Sequence, residues 1–137
     1  MARYYNITTT VFSFLGGIAT FLLGGWDSIA KALVLLMLID YITGIIKALS
    51  KKELSSKIGF SGILKKVGIL SLVFVSVICE SYLGILAARE ITVMFFAINE
   101  GVSILENVAE LGIPVPEKLK SALLQIRDSD NDNDKGW

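Results

Sequence analysis

Long apolar runs separated by short polar segments dominate the pattern of this chain. Residues 4–26 contain no charged side chain, and further apolar runs follow at about 29–48, 67–88 and 91–113. A helix rises about 1.5 Å per residue, so about 20 residues cross a hydrocarbon core of roughly 30 Å. The pattern therefore predicts membrane-spanning helices, the first of them at about 7–25.

The four apolar runs differ in the charge that they carry. The second contains Asp40 and the third contains Glu80, whereas the fourth contains Glu100, Glu106 and Glu110. Each ionised group near the centre of a bilayer costs about 2.5–3.5 kcal/mol on insertion scales. The fourth run is therefore marginal as a lone lipid-facing helix and needs partners, which leaves three or four spans open.

The C-terminal part of the chain has a different pattern. Pro114 and Pro116 end one helix and begin another, and apolar residues at helical spacing then face charged ones up to residue 127. This pattern predicts a short amphipathic helix that lies on the membrane or on a partner. The fold class is therefore an all-α integral membrane bundle of three to four transmembrane helices with a short C-terminal amphipathic helix. Residues 1–127 form one transmembrane domain, and residues 128–137 form an acidic flexible tail.

Composition supports this assignment and excludes several kinds of site. Hydrophobic residues make up 53% of the 137 residues and charged residues only 19%, too little polar surface for a small soluble domain. With no histidine and one cysteine, the chain offers neither an intrachain disulfide nor a His/Cys metal site. The signatures G-x-x-x-x-G-K-[ST] and G-x-S-x-G are also missing from the sequence. We expect no catalytic residue, cofactor or metal, and no enzyme activity.

Lysines are concentrated in one connecting segment. Residues 47–66 contain six lysines and one glutamate, which predicts that this basic loop stays on the cytoplasmic side of the bacterial membrane. Nucleic acid is not an expected partner, because the lysines lie between two apolar runs. The side chains expected to contact anionic lipid at the inner surface are Lys51, Lys52, Lys57, Lys65 and Lys66.

The fourth run has one polar side. At about 100° per residue, its polar side chains fall within an arc of about 120°. A ring of protomers could enclose a channel with such a side, although one protomer could not. The pattern favours a pore-lining or protomer–protomer face, and an amphipathic surface helix is the alternative. The face consists of Asn99, Glu100, Ser103, Glu106, Asn107 and Glu110.

Polar groups in the second and third runs are candidates for intramembrane contacts. Two carboxylates, Asp40 and Glu80, and one hydroxyl, Thr43, lie among apolar residues. Carboxylates in a low-dielectric interior need hydrogen-bonding or oppositely charged partners. These contacts either join helices or take part in gating.

Five phrases of the sequence point to a known family. In order they are 40–44 (DYITG), 54–57 (LSSK), 62–66 (GILKK), 99–107 (NEGVSILEN) and 111–117 (LGIPVPE). In these phrases the chain resembles the bacteriophage holin family, which includes clostridial toxin-export proteins, and the resemblance covers about residues 33–127.

The resemblance implies a function that the pattern alone does not give. Holins accumulate in the cytoplasmic membrane and then oligomerise into lesions, through which an endolysin or a large toxin leaves the cell. The implied partners are other copies of the chain, membrane lipid and the exported cargo. A small ion-conducting channel and a non-conducting membrane adaptor are the alternatives.

Overall fold

The computed structural model describes residues 2–133 and confirms an all-α fold. Within those residues it contains helices and no strand. The helices are α1 (Ala2–Leu22), α2 (Ser28–Ser50), α3 (Ser56–Leu83), α4 (Ala88–Glu110) and α5 (Glu117–Asn133).

Short polar residues and glycines set the helix ends. The Asp27 carboxylate accepts a hydrogen bond of 3.1 Å from the Ala30 N–H and so caps α2. Ser55 caps α3 through a bond of 3.3 Å from the Ile58 N–H. Each cap satisfies a backbone donor that the helix leaves without a partner. Gly84, at φ 70°, ends α3 in the left-handed region that glycine enters without steric cost.

The lengths of the helices agree with a membrane bundle. Among the described residues, α2, α3 and α4 are long and apolar enough to cross a membrane, and Asn6–Leu22 is a shorter apolar helix. The helix bounds differ from the sequence prediction at α3, which begins at Ser56 and so includes the second half of the predicted basic loop. The Ser55 cap starts the helix well before the apolar run begins.

The C-terminal helix is longer than predicted. We predicted a flexible tail from residue 128, and α5 continues to Asn133. No proline or glycine occurs between Pro116 and Gly136 to interrupt the helix. The Ser129 hydroxyl also donates to the Gln125 carbonyl at 2.8 Å. The rest of the predicted tail, 134–137, lies outside the described residues.

Helix α4 is the centre of the bundle. Among the described residues it packs against α2, α3 and α5, whereas α1 packs only against α3. Seven buried apolar residues form the core between α2, α3 and α4: Leu23, Ala30, Leu33, Met37, Ile69, Val73 and Val93. Most large apolar side chains instead face outward, among them Phe12 and Phe60. An outward-facing apolar surface of this extent fits lipid rather than water.

Candidate functional site

The polar side chains of α4 mainly face inward, toward α2 and α3. Glu100 and Asn107 are buried, Asn99 and Ser103 are half-buried, and Glu106 and Glu110 are exposed. Polar groups in an apolar bundle need partners, and the neighbouring helices supply them. The predicted polar face is thus largely covered within one protomer.

An ion triad joins α2, α3 and α4 midway along the bundle. The Lys66 ammonium donates to both the Asp40 and the Glu100 carboxylates. The exposed fractions of these side chains are 14% for Lys66, 11% for Asp40 and 2% for Glu100. Two carboxylates therefore share one ammonium away from solvent. Water screens the attraction between the ammonium and each carboxylate only a little.

An amide group extends this triad toward the C-terminal end of α4. The Asn107 amide donates to the Asp40 carboxylate at 3.2 Å and to the Thr43 hydroxyl at 3.1 Å. Thr43 in turn donates to the Ile39 carbonyl at 2.9 Å. Among the described residues, every buried side-chain nitrogen and oxygen has a hydrogen-bond partner. Asp40 and Thr43 thus contact α4 through Asn107, and their role as helix-joining or gating contacts stays a prediction.

The far end of α4 carries a more exposed ion pair. Glu110 lies 3.5 Å from the Lys47 ammonium and accepts a hydrogen bond from Lys51. The Glu110 carboxylate raises the pKa of the Lys51 ammonium, which follows the end of α2. A pair this exposed adds little to stability, because water screens it.

Arg89, which the sequence reasoning missed, closes the opposite end of the bundle. Its side chain is only 5% exposed and donates to the Leu23 carbonyl at 2.5 Å and to both carboxylate oxygens of Asp27. Hydrogen bonds from the guanidinium hold the pKa of Asp27 at about 2, well below its ordinary value. Glu80, predicted as an intramembrane contact, accepts from the Arg89 backbone N–H at 2.9 Å. In the sequence, the one indication of this contact was a charged residue just before the fourth apolar run.

The five lysines predicted to contact lipid do not all face outward in the structure. Lys51, Lys52, Lys57 and Lys65 are exposed. Lys66 differs from the prediction, since its ammonium lies in the ion triad rather than at the surface. The reason is its helical position: Lys65 and Lys66 are about 100° apart on α3, and the ammonium of Lys66 is the one that reaches Asp40 and Glu100.

Two cavities flank the triad. One, of about 200 Å³, is lined by Asp40, Lys66, Ser103 and Asn107. The other, of about 460 Å³, is lined by Glu100, Glu106 and Arg127 among others. In the described part of the chain, no group of three or more His, Cys, Asp or Glu side chains could hold a metal ion. The chemistry that these residues offer is the charge of the triad and its hydrogen bonds.

Comparison with known proteins gives one family. A sequence model described as the bacteriophage holin family matches residues 17–128. An uncharacterised 14.9 kDa protein from the nagH 3′ region of Clostridium perfringens is 45% identical over 114 residues, covering 82% of this chain and 86% of that protein. A probable holin of Bacillus phage phi105 is 36% identical over 103 residues, covering 73% of this chain and 74% of the phage protein. No solved structure matches the chain.

Proposed function

The chain belongs to the bacteriophage holin family, and from this membership we propose that it permeabilises the bacterial cytoplasmic membrane by oligomerising into lesions. The cargo released is an endolysin or a large toxin. The observation that carries the proposal is the family match over residues 17–128, together with a fold of long apolar helices. The phage relative named a probable holin favours the endolysin.

The orientation of the protomer follows from its charges. We propose that α2, α3 and α4 cross the membrane, with the predicted first span at about 7–25 as a fourth, and that the basic loop between α2 and α3 lies on the cytoplasmic side. Lys51, Lys52 and Lys57 are exposed there, where they can contact anionic lipid. Arg89 and Asp27 then lie at the outer end of the bundle.

The polar face of α4 has two roles in this proposal. In the separate protomer, Glu100 and Asn107 are satisfied by Lys66, Asp40 and Thr43, so the protomer is stable in lipid without a channel. In the lesion, the same face turns toward water or toward a neighbouring protomer. Because a polar face released into lipid would cost several kcal/mol per group, release favours association with other copies.

A small ion-conducting channel is the second candidate. The two cavities beside the triad favour it, because charged side chains line both of them. Such a channel would depolarise the cell and retain macromolecules. The two functions therefore differ in what leaves the cell.

One experiment separates them. The chain is expressed from an inducible promoter in a bacterium, and membrane potential and release of a large cytosolic enzyme are followed together. Abrupt release of the enzyme after a lag is the result expected of a holin. Depolarisation with the enzyme retained would support the channel instead. If the cell neither depolarises nor releases the enzyme, both functions are contradicted.

A matched pair of variants tests the α4 face in the same assay. The first variant, E100Q/E106Q/E110Q, removes the three carboxylates of the face and should change the time of release without preventing membrane insertion. The control is E53Q/E117Q, which neutralises two exposed carboxylates outside the face. Release by the first variant at the same time as by the control would refute a role for this face.

A further inference from the structure

The ion triad holds one more negative charge than positive charge. Lys66 contributes one positive charge, whereas Asp40 and Glu100 contribute one negative charge each. Both carboxylates accept a hydrogen bond from the same ammonium, so their nearest oxygens lie within about 6 Å of each other. Because the site is largely shielded from water, each carboxylate makes ionisation of the other unfavourable.

The neighbouring charges do not balance this excess. Within the described part of the chain, Asp40 and Glu100 form ion pairs with Lys66 alone. The other titratable groups that line the two cavities beside the triad are Tyr41 and Lys47 of α2, Lys65 of α3, Glu106 of α4 and Arg127 of α5. Lys47 pairs with Glu110, and this pair is partly exposed. Arg127 pairs with Asp128, which is also partly exposed. Lys65 and Glu106 are exposed and opposite in charge, and Tyr41 is uncharged as a phenol. Water therefore screens these charges more strongly than it screens the triad.

The triad borders an apolar interior on the side away from the basic loop. The buried residues next to it along the three helices are Met37 of α2, Ile69 of α3 and Val93 of α4. An unbalanced charge at the edge of such an interior is costly, because the apolar side chains cannot solvate it. A proton on either carboxylate removes the excess charge and supplies an O–H donor.

The two cavities give a proton a route to the triad. Their volumes are about 200 and 460 Å³, many times the roughly 15 Å³ that one water molecule needs. Lys65 and Ser103 line both of them. The smaller cavity also extends to Lys47 of α2 and Ile58 of α3, toward the basic loop. Water in these cavities can carry protons between the loop side of the bundle and the triad.

A proton suits this site better than a metal ion does. The Lys66 ammonium already contacts both carboxylates, so a metal ion that bound them would have to lie beside a positive charge. A proton needs only one carboxyl oxygen and one acceptor for the resulting O–H. The Asp40 and Glu100 carboxyl groups lie within hydrogen-bonding reach of each other, so each can accept from the other.

We propose that the ion triad is a proton-binding site, in which Asp40 and Glu100 hold one proton between them at neutral pH. The protonated triad consists of one ammonium, one carboxylate and one carboxylic acid, and it has no net charge. Because the two carboxyl groups interact strongly, the proton belongs to the pair rather than to either residue. The site lies within one protomer, so it does not depend on the formation of lesions.

Infrared spectroscopy of the full chain in phospholipid vesicles tests this proposal, because a protonated carboxyl group has a C=O band that a carboxylate lacks. At pH 7 we expect the native chain to show this band, which should shift in D₂O and disappear at alkaline pH. Glu100→Gln and Asp40→Asn each leave Lys66 with one carboxylate, so each variant should lose most of the band. The matched control is Glu80→Gln, which removes a carboxyl group of α3 outside the triad and should keep the band.

The proposal is overturned if the native chain shows no such band at pH 7, or if either variant of the triad keeps the band at native intensity. A metal cation held in place of the proton would leave both carboxylates ionised and would give the first of these results. Circular dichroism shows whether each variant keeps its helices, and the native chain by itself decides the first result. Enzyme release plays no part in this measurement, so failure of the proton site and failure of the proposed function are distinguished.

Discussion

The guanidinium of Arg89 donates two hydrogen bonds to the Asp27 carboxylate, although the two residues are 62 positions apart in the sequence. Nη1 lies 2.8 Å from one carboxylate oxygen and Nη2 lies 2.9 Å from the other. The same guanidinium donates to the Leu23 carbonyl. The pair therefore fixes the start of α4 to the turn between α1 and α2.

Replacing Arg89 with lysine should loosen this attachment. An ammonium keeps the charge but cannot make the two-pronged contact, so we expect a loss of about 1–2 kcal/mol in the free energy of unfolding. Denaturant titration in detergent, followed by circular dichroism, measures the loss. The control is Arg127→Lys, because the Arg127 guanidinium pairs, within the described part of the chain, only with neighbouring Asp128 at 3.5 Å. Equal stability of the two variants would contradict the special role of Arg89.

Stability should depend on pH through Asp27. Its pKa is about 2 in the folded chain and 3.8 ordinarily, so the folded state binds the proton less tightly than the unfolded state does. The contribution of Asp27 is therefore complete above about pH 4 and is lost as pH falls toward about 2. Unfolding midpoints at a series of acidic pH values should fall more steeply for the native chain than for Asp27→Asn. Parallel curves would count against this assignment.

The ion triad should tolerate removal of all its charges better than removal of one. Lys66→Met leaves the Asp40 and Glu100 carboxylates buried without a cation and should cost about 3–5 kcal/mol. The triple variant K66M/D40N/E100Q leaves no charge, so it should recover most of that loss. The same denaturant titration compares them. If the triple variant is no more stable than K66M, the loss comes from packing of the lysine stem rather than from charge.

Alanine substitutions at two glycines with almost the same φ distinguish the cost of backbone strain from the cost of side-chain crowding. Gly24 has φ 69° and Gly84 has φ 70°, so alanine is strained by the backbone at both. A β-carbon at Gly24 would lie 2.8 Å from the Arg89 Cδ, whereas one at Gly84 meets nothing within 4 Å. We expect Gly24→Ala to destabilise the fold by more than Gly84→Ala, by about 1–3 kcal/mol. Similar unfolding free energies would mean that Arg89 and Val77, whose Cγ2 would also lie 2.8 Å from the added β-carbon, move aside without cost.

The helical fold could be predicted from the sequence because apolar runs of membrane-spanning length leave few alternatives. The helix bounds were harder to predict. Residues 57–66 contain lysines and glycines typical of a loop, yet they are helical. Tyr41 packs against this segment, and its hydroxyl lies 3.4 Å from the Gly59 carbonyl. A contact from another helix cannot be read from the local pattern.

The candidate site could be predicted only in part for the same reason. The arc of polar residues on α4 identified Glu100 and Asn107 as a face but gave no indication of what covers it. Lys66 stands next to Lys65 in the sequence, and only the packing of α3 decides which of the two turns inward. Arg89 is buried because a distant turn approaches it, and its neighbours in the sequence do not reveal that approach.

Three ion pairs connect α4 to the rest of the bundle at three positions along its axis: Arg89 with Asp27, Glu100 with Lys66, and Glu110 with Lys51. A shift of α4 by one helical turn, about 5.4 Å along its axis, would move the partners of all three ion pairs beyond hydrogen-bond distance. We therefore expect the two buried contacts, of Arg89 and of Glu100, to set the position of α4 along its axis.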